Sequence, residues 1–204
     1  QGGYETGLFG VWGAGAIKRA GHPNRQGFKC FLGYLDDKSA QDFYPPTLWR
    51  NDDQFALPGN RDGAKTQYAP DVIVDAAKRF IDAECKRPFF LTVAFPMTIS
   101  GSGQEVPDLN PYADQDWPTA DKTRAAMITR VDRYMGQIMQ RLQERRVLNR
   151  TIVIITSDRG PPSAAEGAGD RFLPTGTLRG RQGELYEGGI RVPLIVSWPG
   201  TPLA

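Results

Sequence analysis

RPFFLTVAFP, residues 87–96, is the stretch on which the fold turns. Its centre is an unbroken apolar run of strand length between two prolines, the pattern of a strand buried on both faces, as in a parallel sheet. Upstream, positions Ile73, Ala77, Phe80, Ile81 and Glu84 recur three and four apart behind Asp71, a residue type that caps helices. The spacing predicts a helix that ends before Pro88, because the residue ahead of a proline leaves the helical region.

Downstream, residues 98–118 read as a polar, proline-bearing loop, and Thr119 or Asp121 is the expected cap of a second helix. Ile128, Val131, Met135, Ile138 and Leu142 form its apolar stripe. TIVIIT, 151–156, and VPLIVSWP, 192–199, are two further buried strands by the same reasoning as the first. Helix, strand, helix, strand in this order predicts an α/β fold: a mostly parallel sheet with right-handed crossovers, flanked by helices. Residues 1–69, rich in glycine, aromatic and turn residues, read as loops and short elements lying over that sheet.

The chain of 204 residues is 40% hydrophobic and 24% charged, enough to bury the core of one domain or most of one. A net charge of +2, from 25 basic and 23 acidic residues, gives no excess to draw it to nucleic acid or an anionic membrane. No apolar stretch approaches the roughly 18–20 residues of a membrane span. Cys30 and Cys85 have no CxxC spacing, and His22 is the sole histidine, so a zinc set is excluded and two thiols are expected rather than a disulfide. Gln1 opens the sequence with no signal peptide, as in a processed chain or a fragment. Asn149-Arg150-Thr151 is an N-x-T sequon, relevant only to a secreted protein.

Ligands of open α/β sheets bind beyond the carboxyl ends of the strands. That rule directs attention to residues 96–103, 157–162 and 176–189. In the second of these, IVIITSDRGPP, an apolar strand stops on Asp158, as strands that build metal sites do, yet Arg159 follows it. A guanidinium has only donors and repels a cation, so pairing of Asp158 with an arginine competes with metal ligation. Arg179 and Arg181, in LRGRQG, have the forked geometry that suits sulfate or phosphate, although such residues also pair with carboxylates or stay solvated. His22, between glycine and proline, reads as a loop residue without a catalytic role.

Several stretches together resemble one family, the arylsulfatase-type sulfatases of the alkaline phosphatase superfamily. GYETGLFGVWGAG is similar to that family's GYxTGLFGKWGLG, and GHPNRQGF with FLGYLDDKSAQDFYPPTLWRND to its GHPNxQGFDxFxGYLxxxHAHNYYPxxLWRN. RPFFLTVAFPMTIS resembles RPFFLYLPYTIPH, AAMITRVDRYMGQIM resembles AAMITRxDRxVGRIL, and TIVIITSDRGPP resembles TIVxFTSDNGPH. LRGRQGELYEGGIRVPLIVSWPG is similar to LRGxKxxLYEGGIRVPxIVRWPG, and the blocks run in the family's order over nearly all 204 residues.

The resemblance implies hydrolysis of sulfate esters by a formylglycine nucleophile made in a CxPSR-type motif, one divalent cation, usually calcium, and lysines and histidines that clamp the sulfate. Fixed cations would stabilise the charge that develops on the transferred group. In the family the nucleophile motif precedes GYxTGLFG, and Cys30, in FKCFLG, does not stand in for it. The lysine of GKW corresponds to Val11, the histidines of HAHNYYP to Ser39 and Gln41, the histidine ending YTIPH to Gly101, the lysine of LRGxK to Gln182, and the histidine of NGPH to Pro162. Asp158 alone remains of the metal ligands, beside Arg159, whereas scaffold residues such as Thr6-Gly7-Leu8-Phe9-Gly10, Trp49-Arg50-Asn51 and Tyr186-Glu187-Gly188-Gly189 match.

The expectation is a single, partial sulfatase-like domain, lacking the family's nucleophile strand and C-terminal subdomain, and serving as a non-catalytic structural or interaction module. Its partners would be other protein subunits, with a sulfated ligand at Arg179 and Arg181 as a further candidate, and no cofactor is expected. The alternative is a sulfuric-ester hydrolase whose nucleophile segment lies outside these residues, and calcium would then be its cofactor. The resemblance implies a secretory, periplasmic or extracellular location.

Overall fold

The computed structural model describes residues 2–96, 105–162 and 171–200. Its main sheet has five strands in the order β4-β3-β2-β1-β5, formed by β1 (Glu5–Val11), β2 (Cys30–Tyr34), β3 (Thr47–Arg50), β4 (Asp53–Ala56) and β5 (Phe89–Ala94). Both β2 and β5 run parallel to β1, whereas β3 and β4 are antiparallel additions. Helix α1 (Ala69–Glu84) covers one face, and the longer α2 (Thr119–Glu144) packs beside it. A separate two-stranded ribbon, β6 (Val153–Thr156) with β7 (Leu194–Ser197), is antiparallel and is preceded at β7 by the one-turn helix α3 (Glu187–Ile190).

The α/β class with flanking helices stands, and the details depart from the sequence expectation in an instructive way. The central strand of the sheet is β1, from the segment expected to be loops. Its glycines hide it, because glycine is depleted in strands, yet close backbone approach is what these positions need. A Cβ built on Gly10, whose φ is +120°, would lie 1.9 Å from the carbonyl oxygen of Ala94 in β5, and one on Gly33 would lie 1.8 Å from that of Gly10. Conversely, β5 has a sheet neighbour on one side only among the described residues, and Phe90 is 55% exposed. β6 and β7 pair antiparallel with each other, and Ile154, Leu194, Ile195 and Val196 are exposed instead of buried.

Both helix starts also shift. α1 begins at Ala69 with Pro70 in its first turn, and Asp71 sits within that turn instead of capping it. Its carboxylate accepts a short hydrogen bond from the Tyr134 hydroxyl of α2. α2 follows Pro118, so Thr119 and Asp121 are both helical. The buried side of α2 is Met127, Tyr134, Ile138 and Leu142, while Ile128 faces solvent. The sequence admitted either phase, and Tyr134 decides it by burying its ring while its hydroxyl reaches Asp71.

The core between sheet and α1 gathers Phe9, Leu32, Leu48, Leu57, Ile73, Ala77 and Phe80. A second cluster joins Ile81, Ile138 and Leu142, and Val153 ties the β6–β7 ribbon to it. The opposite face of the sheet, Leu8, Phe31 and Leu35, is covered by Trp12, Ile17, Phe28 and Trp49. Trp198, in the 192–199 segment expected to be a buried strand, is exposed. Cys30 and Cys85 are free thiols.

Candidate functional site

The carboxyl ends of the parallel strands bring one group of candidate residues to a common edge. Val11 closes β1 opposite Tyr34, the last residue of β2. Tyr34 is buried, its hydroxyl donates to the Asp42 carbonyl at 2.6 Å, and burial pushes its pKa far up, so it stays a donor. The chain then turns through Asp36 into a short 3-10 helix, Ser39–Gln41. Ser39 donates its backbone N–H and its hydroxyl to the two oxygens of Asp36, at 2.7 and 2.8 Å. These bonds, the backbone one foremost, hold the Asp36 carboxyl below its ordinary range. Gln41 is exposed beyond them. Gly101 lies outside the described residues.

A second group forms where the turn after β6 meets the loop before α3. Gly160 N–H donates to the Gly189 carbonyl at 2.8 Å, Gln182 N–H to that of Pro161 at 2.9 Å, and Gly188 N–H to that of Arg179 at 2.8 Å. The fit leaves no room for side chains, since a Cβ on Gly160 would lie 2.0 Å from the Gly188 carbonyl oxygen. Backbone contact thus joins the turn that follows Asp158 and Arg159, at Gly160 and Pro161, to the segment carrying Arg179, Arg181 and Gln182, about 20 positions downstream, which spacing alone could not connect. Arg159 Nε donates to Asp158 Oδ2 at 2.7 Å, and both side chains are exposed. The Arg179 guanidinium lies 3.8 Å from the centre of the Tyr186 ring, in cation–π contact. Arg181 reaches the Pro162 carbonyl at 3.4 Å. Among the described residues, no hydrogen bond, ion pair or ring contact joins Val11, Ser39 or Gln41 to Asp158, Arg159 or Arg179.

Two buried polar groups were not legible as such in the sequence. His22, read as a loop residue, is fully buried, with Nδ1 facing the Asn24 N–H at 3.4 Å and Asp52 at 4.0 Å. Asp121, read as a cap, is 1% exposed, and its nearest described cation is Arg171 Nε at 3.8 Å. Neither adjoins a set of ligands: among the described residues there is no group of three or more His, Cys, Asp or Glu that could hold a metal ion. No helix of the described residues is long and apolar enough to cross a membrane.

Comparison with known proteins identifies the relatives of this arrangement. The sulfatase family model matches residues 1–204. Arylsulfatase A of Homo sapiens is 28% identical over 227 aligned residues, covering 97% of this chain and 41% of that protein. An N-acetylgalactosamine-6-O-sulfatase of Bacteroides thetaiotaomicron is 32% identical over 141 residues, 66% of this chain and 26% of that protein. Among solved structures, Ps i-CgsB in complex with k-i-k-neocarrahexaose superposes with a TM-score of 0.78 at 25% identity, covering 97% of this chain and 45% of that one. The chain therefore spans less than half the length of these relatives.

Proposed function

Because the chain belongs to the sulfatase family, we propose that its residues form a sulfatase-like domain that does not itself hydrolyse sulfate esters and acts as a structural or interaction module in a larger assembly. The observation that carries this reading is the 2.7 Å hydrogen bond from Arg159 to Asp158. The carboxylate that ends β6 has its charge met by a guanidinium, which offers no lone pair and repels a cation. A calcium ion takes six to eight oxygen ligands. The described residues around Asp158 do not fit that ion.

The other positions point the same way. Val11, Ser39, Gln41 and Gln182 carry no charge near neutral pH, so none can clamp a sulfate as a lysine or a charged histidine would. The Ser39 hydroxyl is already spent on Asp36. Protein partners are supported by the exposed apolar residues of the β6–β7 ribbon, since contiguous apolar surface marks interaction sites. A sulfated ligand would meet Arg179 by the edge of its guanidinium, because the face is stacked on Tyr186. A secretory, periplasmic or extracellular location completes the proposal, with Asn149 exposed as a glycosylation acceptor.

A second reading, a sulfuric-ester hydrolase whose nucleophile and remaining cation ligands lie outside these residues, is favoured by the partial coverage of relatives that are named as sulfatases. Turnover of a generic aryl sulfate by the full-length protein in calcium separates the two. The proposal expects no turnover above buffer. Activity that disappears on Asp158→Ala establishes the hydrolase instead.

A further inference from the structure

Between α1 and the half of the sheet formed by β2, β3 and β4 lies a cavity of about 520 Å³. That volume lies within the range of small-molecule sites, about 300–1,000 Å³. Its buried walls are apolar, Phe9, Leu32, Leu57 and Phe80, and its exposed lining includes Arg50 and Arg79.

The charge balance at this lining is uneven. Two carboxylates are also present, Asp75 and Glu84, but each is engaged: Asp75 pairs with Lys78 at 2.7 Å and Glu84 with Arg87 at 2.9 Å. Arg50 and Arg79 have no carboxylate partner among the described residues, and the Arg50 guanidinium lies 5.4 Å over the Phe55 ring. Two guanidinium groups without carboxylate partners thus border a solvent-open cavity with an apolar floor. Guanidinium groups suit a planar carboxylate, and the apolar floor beside them suits an alkyl chain.

We propose that this cavity binds a medium-chain carboxylate, with its alkyl chain along the partly exposed Phe55, Val72 and Ala76, over the buried Phe9, Leu32, Leu57 and Phe80, and its head group on Arg50 and Arg79. The site is separate from Asp158 and independent of whether the protein hydrolyses a sulfate ester. Cys30 also lines the cavity and reports on it. Its partial burial, above all, and the charges of Glu84 and Glu5 raise its thiol pKa, so it alkylates slowly and a ligand can slow it further. Cys85 lies outside the cavity and serves as an internal control.

The test titrates the protein with decanoate, hexanoate and 1-decanol by calorimetry, and follows iodoacetamide alkylation of both thiols by peptide mass spectrometry. Decanoate should bind at least about tenfold more tightly than hexanoate, because each buried methylene adds affinity. It should also bind about tenfold more tightly than 1-decanol, which lacks the charge, and it should protect Cys30 while leaving Cys85 unchanged. The double substitution Arg50→Gln, Arg79→Gln should abolish the preference for decanoate over 1-decanol, with unchanged far-ultraviolet circular dichroism as the check on folding. Equal binding of decanoate and 1-decanol by the parent protein overturns the proposal, as does binding without protection of Cys30, or no binding at all.

Discussion

Arg159 donates Nε–H to Asp158 Oδ2 at 2.7 Å, so neighbours in sequence form an ion pair at the end of β6. The pair is exposed, with 47% of the Arg159 side chain and 71% of that of Asp158 open to solvent. It therefore does not rescue a buried charge; it occupies a carboxylate. Arg159→Ala should change stability by less than about 1 kcal/mol, as for exposed ion pairs generally. Urea denaturation checks this, and a loss of several kcal/mol would show that the pair organises the turn.

The close approach of β1 to β5 makes Gly10 irreplaceable. An added methyl group would meet the Ala94 carbonyl at 1.9 Å on a backbone with φ of +120°. Gly10→Ala should cost at least about 3 kcal/mol, strain and overpacking combined. Gly27, with φ of +101° and nothing within 4 Å of a Cβ, is the matched control, and Gly27→Ala should cost only the strain, about 1 kcal/mol.

Arg130 fastens the segment before α2 to the helices. Its side chain is 11% exposed, contacts Asp108 at 2.7 Å and Asp71 at 3.6 Å, and lies 5.4 Å over the Tyr68 ring. Arg130→Ala should destabilise the protein by about 1–3 kcal/mol, in the range of charge-assisted hydrogen bonds with partly exposed partners. Tyr134→Phe, which removes the donor to Asp71, should cost about 1–2 kcal/mol. If Arg130→Lys restores full stability in a chemical melt, the forked geometry is not what matters.

Acid should loosen the fold in a defined window. The Ser39 backbone N–H foremost holds the Asp36 carboxyl down, and the hydrogen bond from Lys29 foremost does so for Glu5. Burial pushes Asp108 up, but the Asn110 N–H and Arg130 outweigh it and its carboxyl also lies below the ordinary range. A carboxylate with a depressed folded-state pKa contributes stability that is present above its unfolded value and lost as pH falls through the folded one. Unfolding free energy should therefore be flat near neutral pH and fall below about pH 4.5, the ordinary value for Glu5. Asp36→Asn should make that fall shallower in urea titrations across pH.

The extent to which the sequence disclosed this structure follows from which signals are local. α1, α2 and the strand at 89–94 were legible because apolar periodicity and run length are properties of a single segment. The antiparallel pairing of β6 with β7 was not, because strand direction is set by partners and a four-residue apolar run does not encode them. β1 was hidden by glycines whose purpose is visible only against Ala94. In the candidate site, Asp158, Arg159, Arg179, Arg181 and Gln182 were all named from sequence, but their joining by the Gly160–Gly189 contact was not, since only the fold brings those backbones together. His22 reads as a loop residue, and its burial was not legible, because its flanking glycine and proline say nothing about the packing of the ring, which meets Phe31 edge-on at 6.0 Å.

At the end of β6, by the function proposed above, a guanidinium takes the place of a cation. Calorimetric titration of the protein with millimolar calcium, beside Asp158→Ala, tests it most directly. Neither protein should give saturable heat. Saturable calcium binding that Asp158→Ala abolishes would contradict it.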